Sequence, residues 1–375
     1  MTVPRQLLVD RTAVGLYHCI SSCVRRAFLC GDGFEHRKDW IRDRLQHLAG
    51  SFAIDVAAYA VMSNHLHVVV RTDPDRAAEW SAIEVVTRWS RLFPASVLSW
   101  AANAPGQPGP SRDGRSQAEP SPTGPGEPSP ETAIDRAVRI VGADVDRVAL
   151  LRDRLSSLSW FMRCTKEPIA RRANREDGCT GCFWDGRFRS PRLLDDAAVL
   201  TGMVYVDLNP VRAGLATTPE RSEHTSVQDR IRARQLFEKS RIRRRSAPKR
   251  ARRLMLGSVT LRSPEDGTWL APIEQRPGDD RPRPGVLPLT LDEYLTVVDT
   301  TGRMVREGKR GCIPPGLAPI LERLKVESAA WVAACSRLGR VFGTAMGSAE
   351  ARAAEAARRE VKRVVGSMGQ PVPDS

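Results

Sequence analysis

Three patterns predict an α+β chain: a ferredoxin-like antiparallel sheet with packed helices, followed by a small all-α domain. Residues 11–71 read as strand, helix, strand, strand, which is half of a ferredoxin-like sandwich. Helical spacing of apolar residues recurs between 80 and 204. A further helical pattern occupies 289–368, beyond a basic and proline-rich stretch. The chain has 375 residues, which suits two or three domains at roughly 150 residues each.

Residues 17–24 alternate loosely and carry β-formers, so a strand is expected. Trp40, Ile41, Leu45 and Leu48 sit at helical spacing within 37–49. Residues 55–70 are mostly strand, broken at Ser63 and Asn64. Trp80, Ile83, Val86, Trp89 and Leu92 predict a helix within 80–100. Eight Pro, five Gly and four Ser then fill 105–130, where Ala118 is the one apolar side chain besides proline. Such a segment cannot bury enough surface to offset its ordering entropy, so 103–132 is expected to be a disordered insertion. Helical patterning resumes over 133–175. Asp195 and Asp196 offer an N-cap for a helix through Val199, Leu200, Met203 and Val204. Pro210 stops that helix and puts Asn209 at its end. The expected organisation is a domain over 11–216, a basic and proline-rich linker over 217–288 and a helical domain over 289–368.

Lys and Arg number 58 against 44 Asp and Glu, a net charge of +14. An excess of this size points to an acidic partner, most often nucleic acid. Residues 221–253 alone hold 13 basic and three acidic side chains, so +10 of the total lies there. Eight cysteines in so long a chain read as reduced thiols rather than a disulfide framework. No run approaches the roughly 18 apolar residues of a membrane span, and the N-terminus meets charge before any long apolar stretch. A cytoplasmic protein with no membrane partner is therefore expected.

Two motifs carry chemistry. His65 and His67 are two apart in a β-rich run and so face the same side of a strand, with Leu66 and Val68 facing the other. Two imidazoles on one face can share a divalent cation, and they can equally be an ordinary strand pair. Tyr205 and Asn209 are one helical turn apart and share a face. They read either as nucleophile and metal ligand or as a half-buried tyrosine with a capping amide.

Together the motifs resemble the IS200-like single-tyrosine transposases of the HUH class, and most nearly the REP-associated tyrosine transposase branch. The resemblance rests on Met62-Ser63-Asn64-His65-Leu66-His67, on Trp184-Asp185-Gly186-Arg187-Phe188, and on Tyr205 through Asn209, Pro210 and Val211, in that order. Ser63 stands where the family pattern has proline. The resemblance spans 11–216. It implies Mg²⁺ or Mn²⁺ held by His65 and His67, with Asn209 as third ligand. It implies Tyr205 as the nucleophile on a phosphorus of single-stranded DNA, giving a 5′-phosphotyrosine and a free 3′-OH. The expected partner is DNA with hairpin or palindromic elements, and the expected activity is cleavage and rejoining of that strand.

Trp184 with Arg187, Arg189 and Arg192 interleaves aromatic and basic groups, which suits stacking on unpaired bases. A core Trp184–Phe188 pair with solvated arginines is the other reading. Arg212 follows the tyrosine helix, placed either for the scissile strand or for a surface ion pair. Arg243, Arg244 and Arg245 belong to a run that is either a solvated arm or a source of salt-dependent DNA affinity. Cys179 and Cys182 form a lone CxxC, too little for a zinc site. Residues 320–341 fit either a helix-turn-helix or a plain bundle. Beside the enzyme stand two other functions: a DNA-binding protein on the same fold with its chemistry silent, and an RNA-binding protein using the basic arm. Monomer and homodimer are both compatible with the sequence.

Overall fold

The computed structural model describes residues 8–104, 132–246, 263, 265, 268–275, 283–304, 345–361 and 364. Of the insertion expected over 103–132, residues 105–131 lie outside them, as does the helix-turn-helix pattern. The first strand, β1 (Gly15–Ser22), leads through α1 (His36–Ala49) to β2 (Ile54–Val61) and β3 (His65–Thr72). Six helices follow: α2 (Pro74–Glu79), α3 (Ala82–Leu92), α4 (Pro94–Ala102), α5 (Ala133–Gly142), α6 (Val145–Ser156) and α7 (Leu158–Glu176). Then come β4 (Arg192–Leu193), α8 (Asp196–Asp207), α9 (Asn209–Arg212), α10 (Ser226–Ser246), α11 (Leu291–Met304), β5 (Ala345–Met346) and α12 (Ala349–Arg358).

The chain is α+β. Its five-stranded sheet runs β2-β3-β1-β4-β5, antiparallel except for the β4–β5 pair. The predicted order of strand, helix, strand, strand holds, and the break at Ser63 and Asn64 is the turn between β2 and β3. The helix expected within 80–100 is two, because Pro94 starts a new one, and the helical stretch over 133–175 is three.

Strand alternation sorts the core into two layers. Leu66, Val68 and Val70 of β3, with Tyr17 and Cys19 of β1, pack against Ile41 and Leu45 of α1 and Phe161 of α7. Val69 of β3 and Ala58 and Ala60 of β2 face the other way, against Leu200, Met203 and Val204 of α8. Burying each such aliphatic side chain stabilises by roughly 1.5–3 kcal/mol. The small alanines let α8 lie close on the sheet. Gly202 does the same at β4, since a Cβ there would meet Leu193 Cδ1 at 3.1 Å. Asp195 caps α8 by accepting from the Ala198 amide at 2.8 Å, as its sequence position predicts.

The boundary expected at 216 does not exist in the packing. Val227 of α10, Ile273, Leu287 and the α11 residues Tyr294, Val297 and Val298 belong to the same apolar layer as α8. The described part of segment 217–288 is therefore no simple linker. Its helix α10 begins in the core: Arg230 is fully buried and donates to the carbonyls of Ala57 and Ala271, both at 2.8 Å. The Ala57 carbonyl sits at the irregularity between Val56 and Ala58, where the β2–β3 register shifts and a ladder partner is lost. Charge counting alone assigns such an arginine to solvent. β5 joins the sheet from beyond 344, so the C-terminal region also contributes to this one body. Among the described residues no helix is long and apolar enough to cross a membrane.

Candidate active site on the β1–β3 face

The turn before β3 positions the histidine pair. The Met62 amide donates to the His65 carbonyl at 2.9 Å. The amides of Cys23 and Cys30 donate to the carbonyls of Asn64 and Ser63, each at 2.8 Å. Three backbone bonds thus hold the turn. His65 and His67 emerge on one face, ring centroids 4.7 Å apart, as their spacing predicts. His65 is half-buried and His67 buried.

α8 carries Tyr205 over the same face. Its ring lies 5.6 Å from His67, edge-on at 88°. Two distant segments thus meet. Asn209 begins α9, where its Nδ2 donates to the Tyr205 carbonyl at 3.2 Å. The Asn209 side chain also hydrogen-bonds the Tyr205 phenol. The Arg212 guanidinium carbon stands 5.1 Å from the Tyr205 ring centroid. Burial pushes the phenol pKa up, while the Arg212 charge and the Asn209 hydrogen bond pull it down.

A third imidazole joins them. His18 on β1 is fully buried, and its Nε2 lies 2.9 Å from His67 Nδ1. In the β1–β3 register, Ile20 is opposite His67 and His18 opposite Val69, so the two histidines are diagonal neighbours on one face. The His18 ring is 5.9 Å from that of Tyr205. Sequence reasoning missed His18. The signal was its parity: Tyr17 faces the core layer, so His18 must face the layer of His65 and His67. Burial drives the imidazole pKa values down, to about 3 at His18 and about 4 at His65, where the Arg26 charge adds to the effect. His67 is pushed well down by burial, with His18 and His65 contributing. All three are neutral near pH 7, the state in which imidazole binds a metal.

The donor set suits a small divalent cation. Asn64 Oδ1 lies 2.6 Å from His65 Nδ1, and His18 Nε2 lies 2.9 Å from His67 Nδ1, so on each ring Nδ1 is engaged by a neighbour and Nε2 is the nitrogen left to face a ligand. Among the described residues no three His, Cys, Asp or Glu side chains converge as a ligand group. A site here needs Asn209 or a substrate oxygen beside the two imidazoles.

The remaining candidates separate by register. Arg189 pairs with Ile20 across an isolated bridge, so it shares the histidine face, and its side chain is exposed. Arg187 is exposed in the same segment. Trp184 pairs with Cys23, on the opposite face. The residue is 8% exposed, and its indole N–H donates to the Lys166 carbonyl at 3.0 Å. The stacking expectation for Trp184 is corrected: with Phe188 it belongs to the core. Arg192 is corrected too. It pairs with Tyr17, away from the histidines, and forms ion pairs with Glu355 at 3.0 Å and Asp10 at 3.7 Å. Arg243 is exposed in the last turn of α10, through which the backbones of Arg244 and Arg245 also run. Cys179 and Cys182 are exposed free thiols. No family model, curated protein or solved structure matches the chain.

Proposed function

We propose that the chain is a single-tyrosine, metal-dependent DNA strand-transfer enzyme of the IS200-like HUH kind. It cleaves and rejoins single-stranded DNA at hairpin or palindromic ends. The observation that carries this reading is the approach of Tyr205 to His67, with ring centroids 5.6 Å apart, across 138 residues of chain (205 minus 67). The strand order β2-β3-β1-β4, with β1 and β3 antiparallel, supports the ferredoxin-like form of the sandwich.

The residues divide the work as follows. Tyr205 Oη attacks the phosphorus, the bond from phosphorus to the 3′ oxygen breaks, and the products are a 5′-phosphotyrosine and a free 3′-OH. Attack by a 3′-OH on the phosphotyrosine reverses the step and rejoins a strand. A phenol of ordinary pKa near 10 is a poor nucleophile at pH 7, and burial here makes it poorer. Arg212 and Asn209 favour the phenolate. His65 and His67, with Asn209 as third donor, would hold Mg²⁺ or Mn²⁺, which would supply Lewis-acid polarisation of a phosphate oxygen. Arg187 and Arg189 offer phosphate contacts beside the site, and their sequence-independent contribution weakens with salt.

The test uses labelled single-stranded hairpin oligonucleotides with Mg²⁺ or Mn²⁺. A denaturant-stable protein–DNA adduct is expected in wild type, absent in Tyr205→Phe and abolished by chelator. Hairpin binding without any adduct, across metals and sequences, reassigns the chain to the second reading, a catalytically silent DNA-binding protein on the same fold.

A further inference from the structure

The side chains flanking the histidine pair do more than fill space. Asn64 is held from both sides. Its Nδ2 donates to the Arg26 carbonyl at 3.3 Å, and its Oδ1 meets His65 Nδ1 at 2.6 Å. A backbone carbonyl only accepts, so it fixes which way the amide points. The oxygen must then face His65, and His65 Nδ1 must carry the proton. Its Nε2 is left with a lone pair. Arg26 keeps its carbonyl in place from a left-handed backbone conformation, φ 55°, that follows another at Arg25, φ 52°. Two consecutive residues that lack glycine's freedom hold this strained conformation, which marks the loop as constrained rather than slack.

At His67 the partner is an imidazole. His18 Nε2 lies 2.9 Å from His67 Nδ1, with ring centroids 5.0 Å apart and planes at 34°. One nitrogen of this contact donates and the other accepts. If His18 donated, His67 would carry its proton on Nε2 and could not bind a cation there. His18 Nε2 is engaged by His67 at 2.9 Å, so it acts through that ring.

Resting on the metal-dependent reading above, we infer that Asn64 and His18 are positioning residues that set His65 and His67 as Nδ1–H tautomers with both Nε2 atoms free for the cation. Neither residue contacts the metal. Each acts through the ring it orients, as outer hydrogen-bond partners of metal-binding histidines do. The arrangement also accounts for a buried histidine on β1, which the Tyr205 chemistry does not otherwise use.

The test reads the full-length protein in two ways. Long-range ¹H–¹⁵N correlation of the histidine rings in the metal-free protein reports the tautomers directly. Both His65 and His67 are expected to be protonated at Nδ1. Mn²⁺ titration followed by electron paramagnetic resonance reports affinity without any DNA. His18→Leu and Asn64→Leu are each expected to weaken Mn²⁺ binding by roughly 10–100-fold. His18→Gln, whose amide oxygen can accept from His67 Nδ1, is expected to restore most of the loss. Asn64→Asp, which keeps the acceptor towards His65, should do the same. Thermal unfolding of each variant separates a lost fold from a lost tautomer. A wild-type His67 protonated on Nε2 overturns the inference, as does unchanged Mn²⁺ affinity in folded His18→Leu. Wild-type protein that binds no Mn²⁺ while showing both Nδ1–H tautomers defeats the metal reading and leaves the positioning role standing.

Discussion

At the residue scale, Arg212 is the group to remove first. Its charge lowers the pKa of the Tyr205 phenol, so Arg212→Gln should raise it. The alkaline rise of adduct formation is expected to move to higher pH, with the rate at pH 7 falling by about tenfold for each pKa unit. A pH–rate profile of both proteins on one hairpin checks this, and an unmoved limb removes Arg212 from the chemistry. His18 gives a second prediction, on stability. Its folded pKa is about 3 and that of His65 about 4, whereas an unfolded imidazole titrates near 6.5. Between those values the unfolded chain binds more protons, so stability falls as pH drops from about 6.5 towards 4. His18→Leu deletes one such group. Its melting temperature should decline less steeply than wild type across that window, as calorimetry at half-unit intervals would record. His65, His67 and Tyr205 stood out in the sequence because their motifs, taken in order, resemble a family pattern, whereas spacing alone left each of them open. His18 was not, because a lone histidine in a strand gains meaning only when the neighbouring strand and its register are known. Trp184 and Arg192 misled for the same reason: composition describes them well, and the face they occupy is set by pairing with Cys23 and Tyr17.

At the scale of elements, α8 matters most, because it presents Tyr205 to the sheet. Its two ends are tied by carboxylates. Asp195 accepts from the Ala198 amide at 2.8 Å and the Ser348 amide at 2.7 Å. Asp207 is fully buried, and its oxygens take the Val227 amide at 3.0 Å, the Tyr294 hydroxyl at 2.6 Å and the Ser226 hydroxyl. The first is a helix cap, so Asp195→Ala should cost about 1 kcal/mol. The second joins α8, α10 and α11 at one buried point. Asp207→Ala strands the Val227 amide and the Tyr294 hydroxyl away from water and should cost about 3 kcal/mol or more. Urea unfolding of the two variants tests the ranking, and equal losses would deny Asp207 its special place. The cap was readable from two aspartates ahead of an apolar run. The junction was not, since its partners come from 226, 227 and 294, which composition alone assigns to a linker and a separate domain.

At the scale of the whole molecule, most of the apolar core of the described residues falls into two layers, and the second layer is built partly from residues beyond 216. A fragment ending at 216 would leave α8 and Tyr205 without Val227, Ile273, Leu287 and Tyr294. It is expected to bind a hydrophobic dye and to lose the cooperative thermal transition of the full chain. A fragment that melts cooperatively would restore the boundary. The sequence reading favoured a boundary there, because a run of basic side chains looks alike whether its first members enter the core or the solvent.

β5 pairs with β4 through Ala345 and Met346, 152 residues after Leu193 (345 minus 193). Ribosomes add roughly 5–20 residues per second, so the outer side of β4 waits about 8–30 s in the cell before its last neighbour has been synthesised. Strands left open in this way invite pairing with other nascent chains. Here the waiting strand is two residues long and one of them is Arg192, a length and a charge that make it a poor template. The brevity of β4 thus bears on how safely the polypeptide is born.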